Sequence, residues 1–160
     1  MTASLSRAQI ASRLDITDPF LMIDTFEEIE PGRRARATLA LAPDAWFFGC
    51  HLPASQVMPA TLQIEGMLQT LVLLIYAAQD HGVNRSYVTS VNVQLAAAGT
   101  PGQTVTFEAE LSAFRRGIAT GEVAAAAGGR TLSRGSFRYA SPHLMAMPTG
   151  PATPPPPSTP

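Results

Sequence analysis

The stretch VMPATLQIEGMLQTLVLLIYAA, residues 57–78, decides the fold. It is apolar on nearly every side for about six turns of helix. Pro59 stands near its start, where a missing N–H costs nothing, and Gly82 offers a stop. The length would also suit a bilayer. Gln63, Glu65 and Gln69 lie in this stretch, however, and no basic anchors flank it closely. Such polar groups are costly in lipid, so the helix is predicted to lie inside protein and not to span a membrane. A helix apolar all round must be covered on more than one side.

The cover is read from the flanks. Downstream, Tyr87–Leu95, Thr104–Phe114, Ile118–Ala126 and Thr131–Tyr139 read as strands. They are separated by Gly99-Thr-Pro-Gly102, Arg116-Gly117 and Gly128-Gly129, turn signals whose spacing points to an antiparallel meander. Upstream, Arg34–Leu41 alternates, with Ala35, Ala37, Leu39 and Leu41 on one side, after a turn at Glu30-Pro31-Gly32. Ser4–Leu14 is predicted as a short leading helix interrupted by Asp18-Pro19. Phe20–Ile23 is a short apolar run, and Trp46–Pro53 reads as an aromatic loop. These elements predict an α+β fold, a sheet of five or six strands wrapped around one long helix. The chain divides into a lead-in (1–17), one domain (18–141) and a Pro-rich tail (142–160) that should be disordered.

Composition narrows the functions. Eleven Lys+Arg face twelve Asp+Glu, a formal charge of −1, which argues against nucleic acid or an anionic membrane as the main partner. The single cysteine, Cys50, allows no intrachain disulfide and no multi-cysteine metal cage. Residues 1–13 lack a signal-peptide core, so a cytoplasmic location is expected.

Among three histidines, His81 beside Gly82 and His143 near the tail read as structural or solvated. His51 differs, because Trp46, Phe47, Phe48 and Leu52 surround it in sequence. A neutral imidazole in such a setting can act as a base, although a satisfied core histidine is the competing reading. Glu65 sits on the apolar helix, where a lone carboxylate is costly unless paired or protonated. A carboxyl of that kind can donate a proton; capping a buried group is its alternative role. Gln63 and Gln69 read as packing or surface amides. The first helical turn, at Ala60 and Thr61, presents free N–H groups that can polarise a carbonyl oxygen. Base, acid and carbonyl donor together suit proton abstraction beside a carbonyl with loss of a β-leaving group. Cys50 is adjacent to His51, and neighbours in an extended segment point apart, which disfavours a Cys–His nucleophile. No second ligand at metal-binding spacing accompanies His51, so no metal is expected.

These residues resemble a known family. Trp46-Phe-Phe-Gly-Cys-His51, followed by Val57-Met-Pro59, Leu62, Glu65 and Gln69, is similar to the active-site segment of bacterial 3-hydroxyacyl-acyl-carrier-protein dehydratases. Pro19-Phe-Leu-Met-Ile-Asp24 and Ile29-Glu-Pro-Gly32 resemble that family's lead-in, and Val91–Leu95 with Pro101-Gly102 matches more weakly. The resemblance implies a hot-dog fold, usually dimeric, with an active site shared between subunits. It implies dehydration of (3R)-3-hydroxyacyl thioesters to trans-2-enoyl thioesters, in fatty-acid or polyketide-type synthesis. It casts His51 as the base for the α-proton, Glu65 as the acid for the departing hydroxyl, and the Ala60 N–H as donor to the thioester carbonyl. Thr61, Phe48 and Val57 would line the substrate. No cofactor is implied; the substrate arrives on the phosphopantetheine of an acyl carrier protein, and Arg115, Arg116 and Arg130 are candidate contacts for that acidic partner.

The chain also departs from the pattern. Ala54-Ser55-Gln56 replaces the usual Gly-x-Pro, Ala60 the Gly after Met-Pro, and Leu52 the Phe after the histidine. The string ending at His51 looks like the dehydratase/isomerase branch, whereas Glu65 looks like the dehydratase-only branch. These mixtures point to a specialised paralogue. A hot-dog thioesterase, an enoyl isomerase, or one subunit of a heterodimeric dehydratase are the alternatives.

Overall fold

A computed structural model describes residues 4–78 and 85–145. The predicted helix is α3, Ala60–Ala78, preceded by α1 (Arg7–Leu14) and a short α2 (Trp46–Cys50). The strands are β1 (Ser4–Leu5), β2 (Thr25–Glu30), β3 (Arg34–Ala40), β4 (Tyr87–Leu95), β5 (Thr104–Arg115), β6 (Ile118–Ala127) and β7 (Arg130–Ala140). All seven form one antiparallel sheet in the order β1-β2-β3-β5-β6-β7-β4. The sheet wraps α3, the hot-dog arrangement expected.

By length and composition α3 could cross a membrane, but 67% of its most apolar window is buried within the protein. It is the core helix. Leu71, Leu73, Leu74 and Met67 are fully enclosed with Phe107 of β5 and Phe137 of β7. At Gly66 the helix lies so close to the sheet that a Cβ would come within 2.4 Å of the Phe107 ring. The opposite side is only partly covered. Ile64, Glu65 and Leu68 remain half-buried, and Thr61 is exposed.

Several expectations need correction. The meander holds for β5–β7, but β4 does not join β5; it crosses to the far edge and pairs with β7. Strand β2 was missing from the sequence reading because Glu28 takes an inward position in its alternation. That carboxylate is buried, and its Oε1 accepts from the Gly32 N–H at 2.9 Å across the turn. Trp46–Pro53 is not all loop, since Trp46–Cys50 forms a helical turn. The stop at Gly82, His81 and residues 146–160 of the tail lie outside the described residues. Pro142–Leu144 form a single 3-10 turn, with His143 exposed.

Candidate active site

His51 ends α2. Its N–H donates to Phe47 O at 2.9 Å, so the preceding helical turn fixes its backbone. Phe47 and Phe48 are buried and anchor that turn, whereas Trp46 is half exposed with its indole N–H on Pro19 O at 3.2 Å. The imidazole is half-buried, and Nδ1 lies 3.3 Å from Val57 O. A carbonyl oxygen can only accept, so Nδ1 is the donor in this contact, and in the neutral ring the lone pair then falls on Nε2. That is the tautomer of a base. Val57 is held in turn, because the next residue donates its N–H to Gly99 O (Met58, 2.8 Å).

The loop between them has its own geometry. Gln56 stands where the resembling sequences carry proline, yet its φ is 50° and its N–H donates to Leu52 O at 2.9 Å. A proline ring permits neither. Leu52 also has a positive φ, 46°, and accepts from Ser55 N–H at 2.8 Å. Hydrogen bonds, not a proline, shape this loop. Gln56→Pro is therefore expected to destabilise the protein by more than about 1 kcal/mol and to lower activity; thermal unfolding and turnover measured together check it.

Glu65 lies in the second turn of α3, half-buried, on the side turned toward the lead-in. Its Oε1 accepts from Gln69 Nε2 at 2.9 Å, one helical turn along. Gln69 is buried and fully used: Oε1 accepts from the Met22 N–H at 2.8 Å, and Nε2 also donates to Phe20 O at 2.9 Å. The 18–24 segment is itself clamped by Arg7, which pairs with Asp18 and Asp24. The lead-in and the Glu65 side chain are thus one unit, a link that the sequence reading of Gln69 as a packing or surface amide missed. Gln63 is likewise buried, donating to Ser133 Oγ at 2.9 Å.

A cavity of about 280 Å³ opens beside Glu65, lined by Leu14, Ile16, Leu68, Val72, Tyr76, Ser86, Tyr87, Val88 and Tyr139 as well as Gln69. Tyr139 donates to Leu68 O at 3.0 Å, and burial, then the nearby Glu65 and Tyr76, push its pKa far above the ordinary phenol value. Burial also raises Tyr76, whose hydroxyl oxygen accepts from the Ser86 N–H at 3.1 Å. The folded chain therefore holds both phenol protons more tightly than the unfolded chain. Their contribution to stability is full below about pH 10 and is lost as pH rises beyond it. Tyr139→Phe should make that alkaline loss shallower while costing about 0.5–1.5 kcal/mol at neutral pH for the lost hydrogen bond; denaturant titrations from neutral to alkaline pH read both effects.

His51 does not line the Glu65 cavity. Ala60 and Thr61 open α3, exposed, at positions whose N–H groups have no intrahelical acceptor. Phe48 is buried beneath α2, and half-buried Val57 faces the His51 ring with its carbonyl. Cys50 is exposed and its thiol points back to Trp46 O and Phe47 O. Among the described residues no three His, Cys, Asp or Glu side chains gather as a metal site would require. Arg115 and Arg116 sit at one end of the sheet, and Arg130 at the other, ten residues of β6 away, about 30 Å. Those three do not form one patch on a single chain.

One sheet rolled around one helix, with that helix's carboxylate turned away from the sheet into an apolar recess, is the build of a hot-dog hydro-lyase. The chain belongs to the FabA-like domain family, which matches residues 16–135. It is 28% identical over 137 residues to the 3-hydroxyacyl-acyl-carrier-protein dehydratase FabZ of Acetivibrio thermocellus, covering 85% of this chain and 94% of that one. Among solved structures it resembles the dehydratase heterocomplex ApeI:P from Xenorhabdus doucetiae, with a TM-score of 0.65 at 13% identity over 83% of this chain and 90% of that one. It also resembles a hypothetical thioesterase with coenzyme A from Streptococcus pneumoniae, with a TM-score of 0.58 at 13% identity over 72% and 84%. At such identities these two structures speak for the fold alone.

Proposed function

We propose that the protein dehydrates (3R)-3-hydroxyacyl thioesters carried on an acyl carrier protein, with His51 as base and Glu65 as acid. The observation that carries this reading is the Nδ1 contact of His51 with Val57 O, which leaves Nε2 free to accept a proton. Nε2 takes the α-proton, and the C–H electrons form the Cα=Cβ bond as the β-hydroxyl leaves. Glu65, oriented through Gln69, gives that hydroxyl its proton, so the leaving group is water. The proton on His51 then returns to Glu65 through solvent. The N–H of Ala60 donates to the thioester oxygen while charge develops there, with Thr61, Phe48 and Val57 around the acyl group. The chemistry needs no metal or bound cofactor, and it suits fatty-acid or polyketide-type synthesis in the cytoplasm.

His51 is not among the residues lining the cavity beside its own Glu65, which supports a working pair formed between two subunits. Strand β4 supports this. It is an edge strand of nine uncharged residues, with Tyr87, Val88, Val91 and Leu95 exposed, the kind of edge that pairs with another chain. Beside it lies the uncovered side of α3. A second copy pairing antiparallel along β4 would cover both; a sister hot-dog subunit would do the same in a heterodimer.

Incubation with a 3-hydroxybutyryl thioester tests the reading. Enoyl product without free thiol is expected; thiol release without enoyl product would establish a thioesterase instead.

A further inference from the structure

Leu21, Met22 and Ile23 are almost fully buried, yet they belong to no strand, so no sheet ladder pairs their backbone. Buried backbone groups must find partners somewhere. Side chains supply them here, from two sides. Phe20 O and the Met22 N–H hold the Gln69 amide, at 2.9 and 2.8 Å. The residues between and after them turn the other way: Leu21 O and Ile23 O each accept from the Arg7 guanidinium at 3.3 Å.

The same guanidinium pairs with Asp18 and Asp24, which flank the buried run. Asp24 Oδ2 accepts from the Ala40 N–H at 2.7 Å, which ties that end to β3. A planar fork can serve all four acceptors in fixed directions, whereas a lysine ammonium is a point charge. Arg7 is itself well anchored, in the first turn of α1. Ser6 and Gln9 close the start of that helix, with the Ser6 N–H on Gln9 Oε1 at 2.9 Å, and its Ile10 is fully buried. Helix α1 stands ahead of residues 16–135, the stretch that matches the family.

What Arg7 holds decides what Glu65 meets. A glutamine amide has an accepting and a donating end of nearly the same shape, and either could face a carboxyl. Here the Met22 N–H takes the Gln69 oxygen and Phe20 O takes one N–H, so the other N–H meets Glu65 Oε1 at 2.9 Å. With Oε1 engaged, Oε2 is the oxygen left to carry a proton to the substrate. We propose that Arg7 is a positioning residue for the acid: it holds residues 20–23, these fix Gln69, and Gln69 aims Glu65. The inference rests on the role of Glu65 proposed above. The Arg7 and Asp18 side chains are 37% and 68% exposed, and ion pairs so placed contribute little to stability. Loss of Arg7 should therefore show in proton delivery to the leaving group.

The test sets Arg7→Met beside the parent, Glu65→Gln and Arg36→Met, which breaks the exposed Arg36–Glu108 pair instead. Two substrates are used, the 3-hydroxybutyryl and 3-fluorobutyryl thioesters of N-acetylcysteamine. The departing hydroxyl needs a proton. In the fluoro substrate His51 takes the α-proton, the Cα=Cβ bond forms, and fluoride leaves with the C–F electrons and no proton. For Arg7→Met, kcat on the hydroxyl substrate should fall about tenfold or more, as it does when a catalytic group is misplaced. KM should change little, kcat on the fluoro substrate should stay at the parent value, and Arg36→Met should alter neither substrate. Hydrogen exchange of the Gln69 side-chain amide, read by NMR, should quicken in Arg7→Met while that of buried Gln63 does not. Equal losses on both substrates, parent-like kcat on the hydroxyl substrate, or unchanged Gln69 exchange overturns the proposal. If the parent leaves the fluoro substrate untouched, hydroxyl kcat and Gln69 exchange decide between these outcomes. If Arg7→Met does not fold, Asp18→Asn takes its place, with the same selective loss expected. Parent-like dehydration by Glu65→Gln would overturn the acid reading itself, and this inference with it.

Discussion

Replacing His51 with alanine should lower kcat for dehydration by about 10²–10⁴-fold, the usual contribution of a positioned acid–base group. The fold should tolerate it. The ring is half-buried and makes one side-chain hydrogen bond, to Val57 O, while the cap on α2 comes from the backbone N–H and survives. The carbonyl donor proposed at Ala60 and the proposed acyl contacts do not involve the His51 side chain, so KM should change little. Steady-state kinetics with a 3-hydroxyacyl thioester, alongside a thermal melt, separates the lost base from lost structure. Parent-like turnover in the variant would remove His51 from the mechanism.

Glu65→Gln should produce a loss of the same order, about 10²–10⁴-fold in kcat, for a different reason. The amide has nearly the carboxyl's shape, and its oxygen can still accept from Gln69 Nε2 as Oε1 does. What disappears is an ionisable proton for the departing hydroxyl. Stability should therefore hold while dehydration fails. The loss should also be smaller for a substrate whose β-substituent leaves without needing a proton, such as a 3-fluoroacyl thioester. Equal losses on the hydroxyl and fluoro substrates would assign Glu65 a binding role instead.

The sequence was most legible where the physics is local. The run from Ala60 to Ala78 and the glycine-bearing turns at 99–102, 116–117 and 128–129 set α3 and β5–β7 within a residue or two. It was least legible where a pairing spans the chain. Nothing in Tyr87–Leu95 tells that it joins β7 at the far edge and not its neighbour β5. Strand β2 was hidden because a buried carboxylate, Glu28, occupies an inward position that pattern reading reserves for apolar residues. Its cost is offset by a turn N–H three-dimensionally close to it, at Gly32.

The site shows the same division. His51 and Glu65 stood out as titratable groups in apolar stretches of the sequence, and the roles proposed for them rest on the contacts of His51 with Val57 O and of Glu65 with Gln69. Their supports did not stand out. The tether of Glu65 runs through Gln69 to Phe20 and Met22, contacts 49 and 47 residues away in the chain. The carbonyl that sets the His51 tautomer belongs to Val57, reached only because Gln56 adopts a left-handed conformation in the loop between. The replacement of the usual Gly-x-Pro by Ala54-Ser55-Gln56 gave no sign that two hydrogen bonds onto Leu52 O close this loop.

The proposed division of His51 and Glu65 between two subunits can be tested directly. His51→Ala and Glu65→Gln chains carrying different affinity tags can be co-expressed and the mixed dimer isolated by successive purification on both tags. One of its two sites then joins an intact His51 to an intact Glu65, so turnover should return to about half that of the parent dimer. A mixed dimer as inactive as either variant alone would contradict the shared site.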